Sequence, residues 1–72
     1  MKKIKKIKIN VNGKVNLIIE KTSLFNLINN LKIPIKKVAI ELNQEIMDKK
    51  KLSRKIIKKN DTIEIVHFIG GG

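Results

Sequence analysis

At 72 residues the chain has the size of one small domain, and with no cysteine it has neither a disulfide to staple it nor a thiolate to attack a substrate or hold a metal. A domain this small buries only about 60% of its unfolded surface, so its stability rests on an aliphatic core, which the 42% share of hydrophobic residues can supply. Seventeen basic residues against six acidic ones leave a formal charge of +11, a balance that points either to an acidic or polyanionic partner or to a lysine-coated surface.

Two features argue against nucleic acid as that partner. Phe25 and Phe68 are the only aromatic residues, too few for a base-stacking platform. Lysines outnumber the lone arginine, Arg54, by sixteen to one, whereas bidentate phosphate and guanine recognition favours arginine. Lysine, isoleucine and asparagine share A/T-rich codons and all are abundant, so genome composition accounts for part of the excess. Met1-Lys2-Lys3 imitates the basic end of a signal peptide, but no uninterrupted apolar segment follows, and no run is long enough to span a bilayer. The expectation is a soluble, cytoplasmic protein without membrane contact.

Lys2 to Lys6 forms a basic lead-in in which Ile4 has no clear face. Ile7, Ile9 and Val11 then alternate with Lys8 and Asn10, the period of a half-buried strand. Asn12-Gly13 is a strong hairpin signal, because both central residues of a type I′ turn need positive φ. Val15, Leu17 and Ile19 alternate on the return strand. Beyond them the period changes: Thr22 or Ser23 can cap a helix, and Leu24, Leu27, Ile28 and Leu31 make one helical stripe. Pro34 opposes its continuation.

Val38, Ile40 and Leu42 restore alternation for a third strand. Asn43-Gln44 turns the chain and Ile46 begins a very short fourth strand. Residues 49–54 read as a basic surface loop with Leu52 plugging back into the core, and Ile56 and Ile57 as the anchor of a single helical turn. Asn60-Asp61 is a turn, since asparagine tolerates the left-handed conformation, and the last strand runs from Thr62 to about Ile69. A leading hairpin, one crossing helix and a closing strand that can lie beside the first strand define an α+β fold of the β-grasp (ubiquitin-like) type. Its mixed sheet has four to five strands, with one main helix on one face. A ferredoxin-like fold needs a second full helix, and residues 49–59 are too short and broken to make it.

On the closing strand Ile63 and Ile65 should face the core, leaving Glu64, Val66 and Phe68 outward. Two large apolar residues on an outer face near the end of the chain point to a partner contact. Gly70, Gly71 and Gly72 follow Ile69, so the organisation expected is a body over residues 1–69 and a flexible glycine tail over 70–72. Fully extended, three glycines reach roughly 10 Å. Taken alone they are also compatible with a frayed end.

The segment Ile63-Glu64-Ile65-Val66-His67-Phe68-Ile69-Gly70-Gly71-Gly72 resembles the end of the thiamine-pathway sulfur carriers, the ThiS family. Val38-Ala39-Ile40 with Asn43-Gln44-Glu45-Ile46 is similar to that family's third strand and turn. Asn60-Asp61 stands where the family has Gly-Asp, and the Asn12-Gly13 hairpin and Thr22-Ser23-Leu24 helix start also correspond. The likeness covers nearly the whole chain from Ile7. It departs in the loop after the short strand, where the family often has Val-Pro-Arg and an aromatic, and this chain has Met47-Asp48-Lys49 and Leu52.

The resemblance implies a protein co-substrate rather than an enzyme. A ubiquitin-activating-like adenylating enzyme would spend ATP, with Mg, to convert the Gly72 carboxylate into an acyl-adenylate. Sulfur from a cysteine-desulfurase-type source would then displace AMP and leave a thiocarboxylate, which thiazole synthase would use as a soft nucleophile to build the thiazole ring of thiamine. No cofactor would be bound by the chain itself. Gly70, Gly71 and Gly72 would enter the partner's active site, because a side chain there blocks a narrow channel and shields the acyl carbon. Val66, His67, Phe68 and Ile69 would dock the body.

His67, the sole histidine, has no second donor with which to hold a metal, and a catalytic base needs an oriented partner, so a structural or interface role suits it better. Glu20, Glu41, Glu45, Asp48, Asp61 and Glu64 show no convergent pair. Molybdopterin and tRNA-thiolation carriers share the fold and the Gly-Gly end, but the molybdopterin type ends in a pattern resembling Pro-Pro-Val-x-Gly-Gly, unlike residues 67–72 here. The alternative from a different class is a basic RNA-binding β-grasp module.

Overall fold

In the computed structural model, which describes residues 3–68, there are eight elements, of which the five strands and the one α-helix follow the expected order. They are β1 (Lys6–Val11), β2 (Lys14–Ile19), α1 (Leu24–Asn30), a 3-10 helix Ile35–Lys37, β3 (Val38–Leu42), β4 (Glu45–Ile46), a second 3-10 helix Lys49–Arg54, and β5 (Thr62–His67). The five strands form one sheet in the order β2-β1-β5-β3-β4. β1 and β5 are parallel, and the pairs β1–β2, β3–β4 and β3–β5 are antiparallel. The closing strand therefore lies beside the first, in the middle of a mixed sheet, as the β-grasp reading expects. The sequence carries that strand to about Ile69; it is described as far as His67, and Ile69 lies outside the described residues.

Local chemistry explains each reversal. Asn12 (φ 50) and Gly13 (φ 82) form the two-residue turn between β1 and β2, and Asn43 (φ 52) and Gln44 (φ 71) form the one between β3 and β4. Asn60 (φ 69) occupies the left-handed region ahead of β5. Of the two possible helix caps Ser23 takes the role: its hydroxyl oxygen accepts the Asn26 N–H at 3.1 Å. The Thr22 hydroxyl instead donates to the Ile19 carbonyl.

Helix α1 buries Leu24, Leu27 and Ile28 against the sheet. The fourth member of the expected stripe, Leu31, is its C-cap and is exposed. The helix stops there because Lys32 turns left-handed (φ 59), and its N–H and that of Ile33 close back on the carbonyls of Asn29 and Ile28. Ile9 and Val11, Val38, Ile40 and Leu42, and Ile63 and Ile65 supply the sheet's side of the core. Leu52 is fully buried, the plug expected of it.

Three local expectations change. Residues 49–54 form a 3-10 helix rather than a loop, started by Asp48, whose carboxylate accepts the Lys50 N–H at 2.9 Å. Ile56 and Ile57 form no helical turn. Their segment runs extended against the start of α1: Leu24 N–H donates to Lys55 C=O, Ile57 N–H donates to Thr22 C=O, and Ser23 bridges Ile56. Extension satisfies donors that the helix start cannot pair internally, and it buries Ile57 while leaving Ile56 outside.

The third change concerns β2. Alternation marks the strand correctly, yet Val15, Leu17 and Ile19 face away from the helix and are 64%, 64% and 53% exposed. The tight turn sets this. It pairs Val11 with Lys14, so the residues sharing the core face with Val11, Ile9 and Ile7 are Lys14, Asn16 and Ile18.

Leu52→Ala should lower the unfolding free energy by about 2–5 kcal/mol, as cavity formation at a fully buried leucine does, measured by urea denaturation. Asn12→Ala should cost roughly 1–2 kcal/mol in the same assay, since it removes a left-handed residue and the side-chain hydrogen bonds from Asn12 to the Ile65 backbone.

Candidate functional site

The expected working end of the molecule is built on β5. Its alternation places Ile63 and Ile65 in the core and turns Thr62, Glu64 and Val66 to the open face of the sheet. Val66 and Phe68 are each 52% exposed. Val66 pairs with Ala39 and Glu64 with Glu41, while Glu41 also pairs with Ile46, so these five residues share that open face. The result is an apolar patch of Val66, Ala39 and Ile46, with Phe68 at its end and two glutamates directly across from each other inside it. His67 has the opposite parity: it pairs with Val38 on the helix side, but it lies past the edge of the core and is exposed.

β5 is pinned on both of its edges. Against β1 the parallel ladder covers only Asn10 with Thr62 and Val11 with Ile63, because β1 then turns away. The Asn12 side chain takes over from the missing backbone: its Oδ1 accepts the Ile65 N–H at 2.7 Å and its Nδ2 donates to the Ile65 carbonyl at 3.4 Å. On the other edge Asn43 Oδ1 accepts the Thr62 N–H at 2.9 Å, and Asn43 N–H donates to the Thr62 carbonyl at 2.7 Å. Asn43 Nδ2 reaches the Asp61 carboxylate, whose second oxygen accepts the Lys58 N–H. Reading along the chain identifies these asparagines as turn residues; the second use of each depends on a strand some twenty to fifty positions away.

The far end of β5 is fixed as well. Phe68 N–H donates to the Lys37 carbonyl at 2.9 Å, and Lys49 Nζ stands 5.1 Å from the centre of the Phe68 ring. Lys49 belongs to the loop that departs from the family pattern, so that loop touches the final described residue of the chain. The expected tail residues Gly70, Gly71 and Gly72, and the docking residue Ile69, lie outside the described residues.

No group of three or more His, Cys, Asp or Glu side chains converges among the described residues. An open groove of about 380 Å³, lined by Ile7, Glu20, Lys21, Ile56 and Lys58 among others, lies toward the start of β1, away from Phe68. The geometry therefore offers a rigid strand ending in a part-apolar face, and no assembled catalytic set among the described residues. No helix among them is long and apolar enough to cross a membrane.

Comparison with known proteins agrees with this geometry. The ThiS family model matches residues 8–72, from β1 through the terminal glycines. The crystal structure of the thiamine biosynthesis protein ThiS from Geobacter metallireducens superimposes with a TM-score of 0.81 at 29% identity, over 92% of this chain and 100% of that one. A solution NMR structure of a thiamine biosynthesis protein from the same organism gives 0.74 at 29% identity, over 92% of this chain and 88% of that one. A curated relative, the thiazole synthase of Magnetococcus marinus, is 35% identical over 66 residues, and the chain spans about a fifth (20%) of its length. With a match through most of its length and the same five-stranded β-grasp sheet, the chain belongs to the ThiS family of sulfur carriers.

Proposed function

We propose that the protein carries sulfur for thiazole formation in thiamine biosynthesis, as a co-substrate rather than a catalyst, with Gly72 as the residue that is charged. The observation that carries the proposal is the family match, which runs through residues 70–72 and so includes the glycines at which the chemistry would occur. In this reading residues 1–69 are a docking body and residues 70–72 an arm.

The chemistry explains the division. A free carboxylate is a poor acyl donor, because its charge repels nucleophiles and oxide is a bad leaving group. An adenylating enzyme removes both obstacles: a Gly72 carboxylate oxygen attacks the α-phosphorus of Mg-bound ATP, pyrophosphate leaves, and an acyl-adenylate forms. The terminal sulfur of a partner persulfide, charged by a cysteine-desulfurase-type source, then displaces AMP to give an acyl disulfide. A second partner thiol attacks the persulfide's inner sulfur, forming a disulfide and releasing the thiocarboxylate. Glycine at positions 70–72 leaves the acyl carbon unshielded and the arm thin enough for a narrow channel. The chain supplies no thiol of its own, so the persulfide belongs to a partner.

Val66 and Phe68 present the apolar contact, with Ile69 and His67 beside them, and the anchoring of Phe68 by Lys37 and Lys49 gives the arm a defined origin. That a region similar to this chain occurs within a protein named thiazole synthase supports thiazole synthase as the receiving partner.

Deleting Gly72 should leave the urea unfolding midpoint unchanged and abolish ATP–pyrophosphate exchange by the adenylating enzyme. Intact-mass analysis of the full chain after incubation with ATP, that enzyme and a sulfur source should show one oxygen exchanged for sulfur. A chain that stays unmodified with an active enzyme present refutes the proposal. Val66→Asp or Phe68→Asp should raise the KM of the adenylating enzyme for the carrier roughly 30-fold, the loss typical of a central interface residue, with unfolding shifted by less than about 1 kcal/mol since both side chains are half exposed.

A further inference from the structure

β2 is an edge strand, and both its side chains and its backbone are unspent on the open side. The pairing of Glu20 N–H with Lys5 C=O at 2.9 Å sets the phase of the hairpin ladder. Lys14, Asn16, Ile18 and Glu20 direct their main-chain groups at β1. Val15, Leu17 and Ile19 therefore direct theirs at the open edge. The same three residues carry the exposed side chains on the outer face. A six-residue edge with three consecutive outward apolar positions has no proline or bulge to keep other strands away, and its one charged residue, Lys14, stands at its turn end.

The run Lys14-Val15-Asn16-Leu17-Ile18-Ile19-Glu20 is also complementary to itself. Two antiparallel copies related by a two-fold axis at Leu17 place Leu17 opposite Leu17, and Val15 opposite Ile19 of the second copy, twice. All three pairs are of the hydrogen-bonded type, because the main-chain groups of residues 15, 17 and 19 already face outward. In the same register Lys14 falls opposite Glu20 of the second copy, again twice. A register shifted by two residues either way loses these charge pairs and part of the apolar overlap.

We propose that β2 is a self-association edge, at which two copies of this chain pair about Leu17 into a continuous ten-stranded sheet. The occupant is a second copy because the strand supplies its own apolar and charged complement. β1 separates β2 from β5, so the open face around Val66 and Phe68 stays uncovered in both copies, and the pair presents two carrier ends at once. The inference is independent of the sulfur chemistry.

The charge of +11 on each chain opposes association at long range. Salt shortens the range of that repulsion, to about 8 Å at physiological ionic strength, while the paired strands at contact are screened less. Association should accordingly be weak, visible at high protein concentration, and strengthened by added sodium chloride.

Sedimentation equilibrium of the full chain tests this. Dimer mass is expected at high concentration, shifting toward monomer as salt is lowered. Leu17→Lys should give monomer only, with unchanged circular dichroism. Lys14→Glu and Glu20→Lys should each weaken self-association roughly 5- to 30-fold, by setting like charges opposite each other at two places. Mixing those two variant chains, or combining both substitutions in one chain, should restore it, since each Glu then meets a Lys. The proposal is overturned by a chain that is monomeric at every concentration and salt, by a dimer that survives Leu17→Lys, or by single variants that neither mixing nor combination rescues. Should Leu17→Lys fail to fold, the charge-exchange series decides by itself.

Discussion

A strand in the middle of a sheet must find partners for its backbone on both edges, and in this protein β5, the last element in the chain, has to find them against two hairpins that both turn away from it. β1 departs after Val11 and β3 ends at Leu42, so β5 would be left with unpaired polar groups at Ile65 on one edge and Thr62 on the other. The asparagine at each turn resolves both problems. Its tolerance of positive φ makes the tight turn, and its carboxamide, which has the same donor and acceptor as a peptide unit, extends the ladder by one more rung. Register is fixed as a result: a one-residue slip of β5 would separate Asn12 from Ile65 and turn Ile63 and Ile65 out of the core.

The consequence reaches the end of the chain. Because β5 is clasped at Thr62 and Ile65 and tied again at Phe68, the point from which any later residue departs is placed by the body. Under the proposed function that arrangement has a use: the body would provide recognition and residues 70–72 the reach. Val66 on β5 and Phe68 just past its end are both half exposed, so in the proposed function a partner that gripped the open face would also align the residues that follow.

The two faces of the sheet carry different duties. The helix side is closed by Leu24, Leu27, Ile28, Leu52 and Ile57 over the inward residues of β1, β3 and β5. The other side has no covering element among the described residues, and its rows alternate in character: apolar on β2, lysine at positions 6 and 8 on β1, and mixed apolar and acidic across β5 and β3. With so much aliphatic side chain outside the core, the lysine coat has a physical use whatever its genomic origin, since net charge keeps open apolar surfaces apart until a specific partner overcomes it.

Much of this was legible along the chain. Strand and helix periods, the Asn-Gly turn, a helix cap at Thr22 or Ser23, the Leu52 plug and the likeness of residues 63–72 to the ThiS family are all local signals, carried by residues close together in sequence. Periodicity reports that a face is apolar without reporting which way it points. For that reason Val15, Leu17 and Ile19 marked β2 correctly while their exposure depended on the turn register. Leu31 continued a helical stripe but became the C-cap, just before the left-handed stop at Lys32, and Ile56–Ile57 became extended because the start of α1 offered backbone groups to pair with. The double duty of Asn12 and Asn43, the approach of Lys49 to Phe68, and the open edge of β2 belong to the tertiary structure alone, since each joins residues whose proximity exists only after the sheet has assembled. Sequence by itself determined the five strands, the one α-helix, their order and the family; assembly decided the short 3-10 turns and which faces and edges stay open, because burial and pairing are properties of neighbours in space.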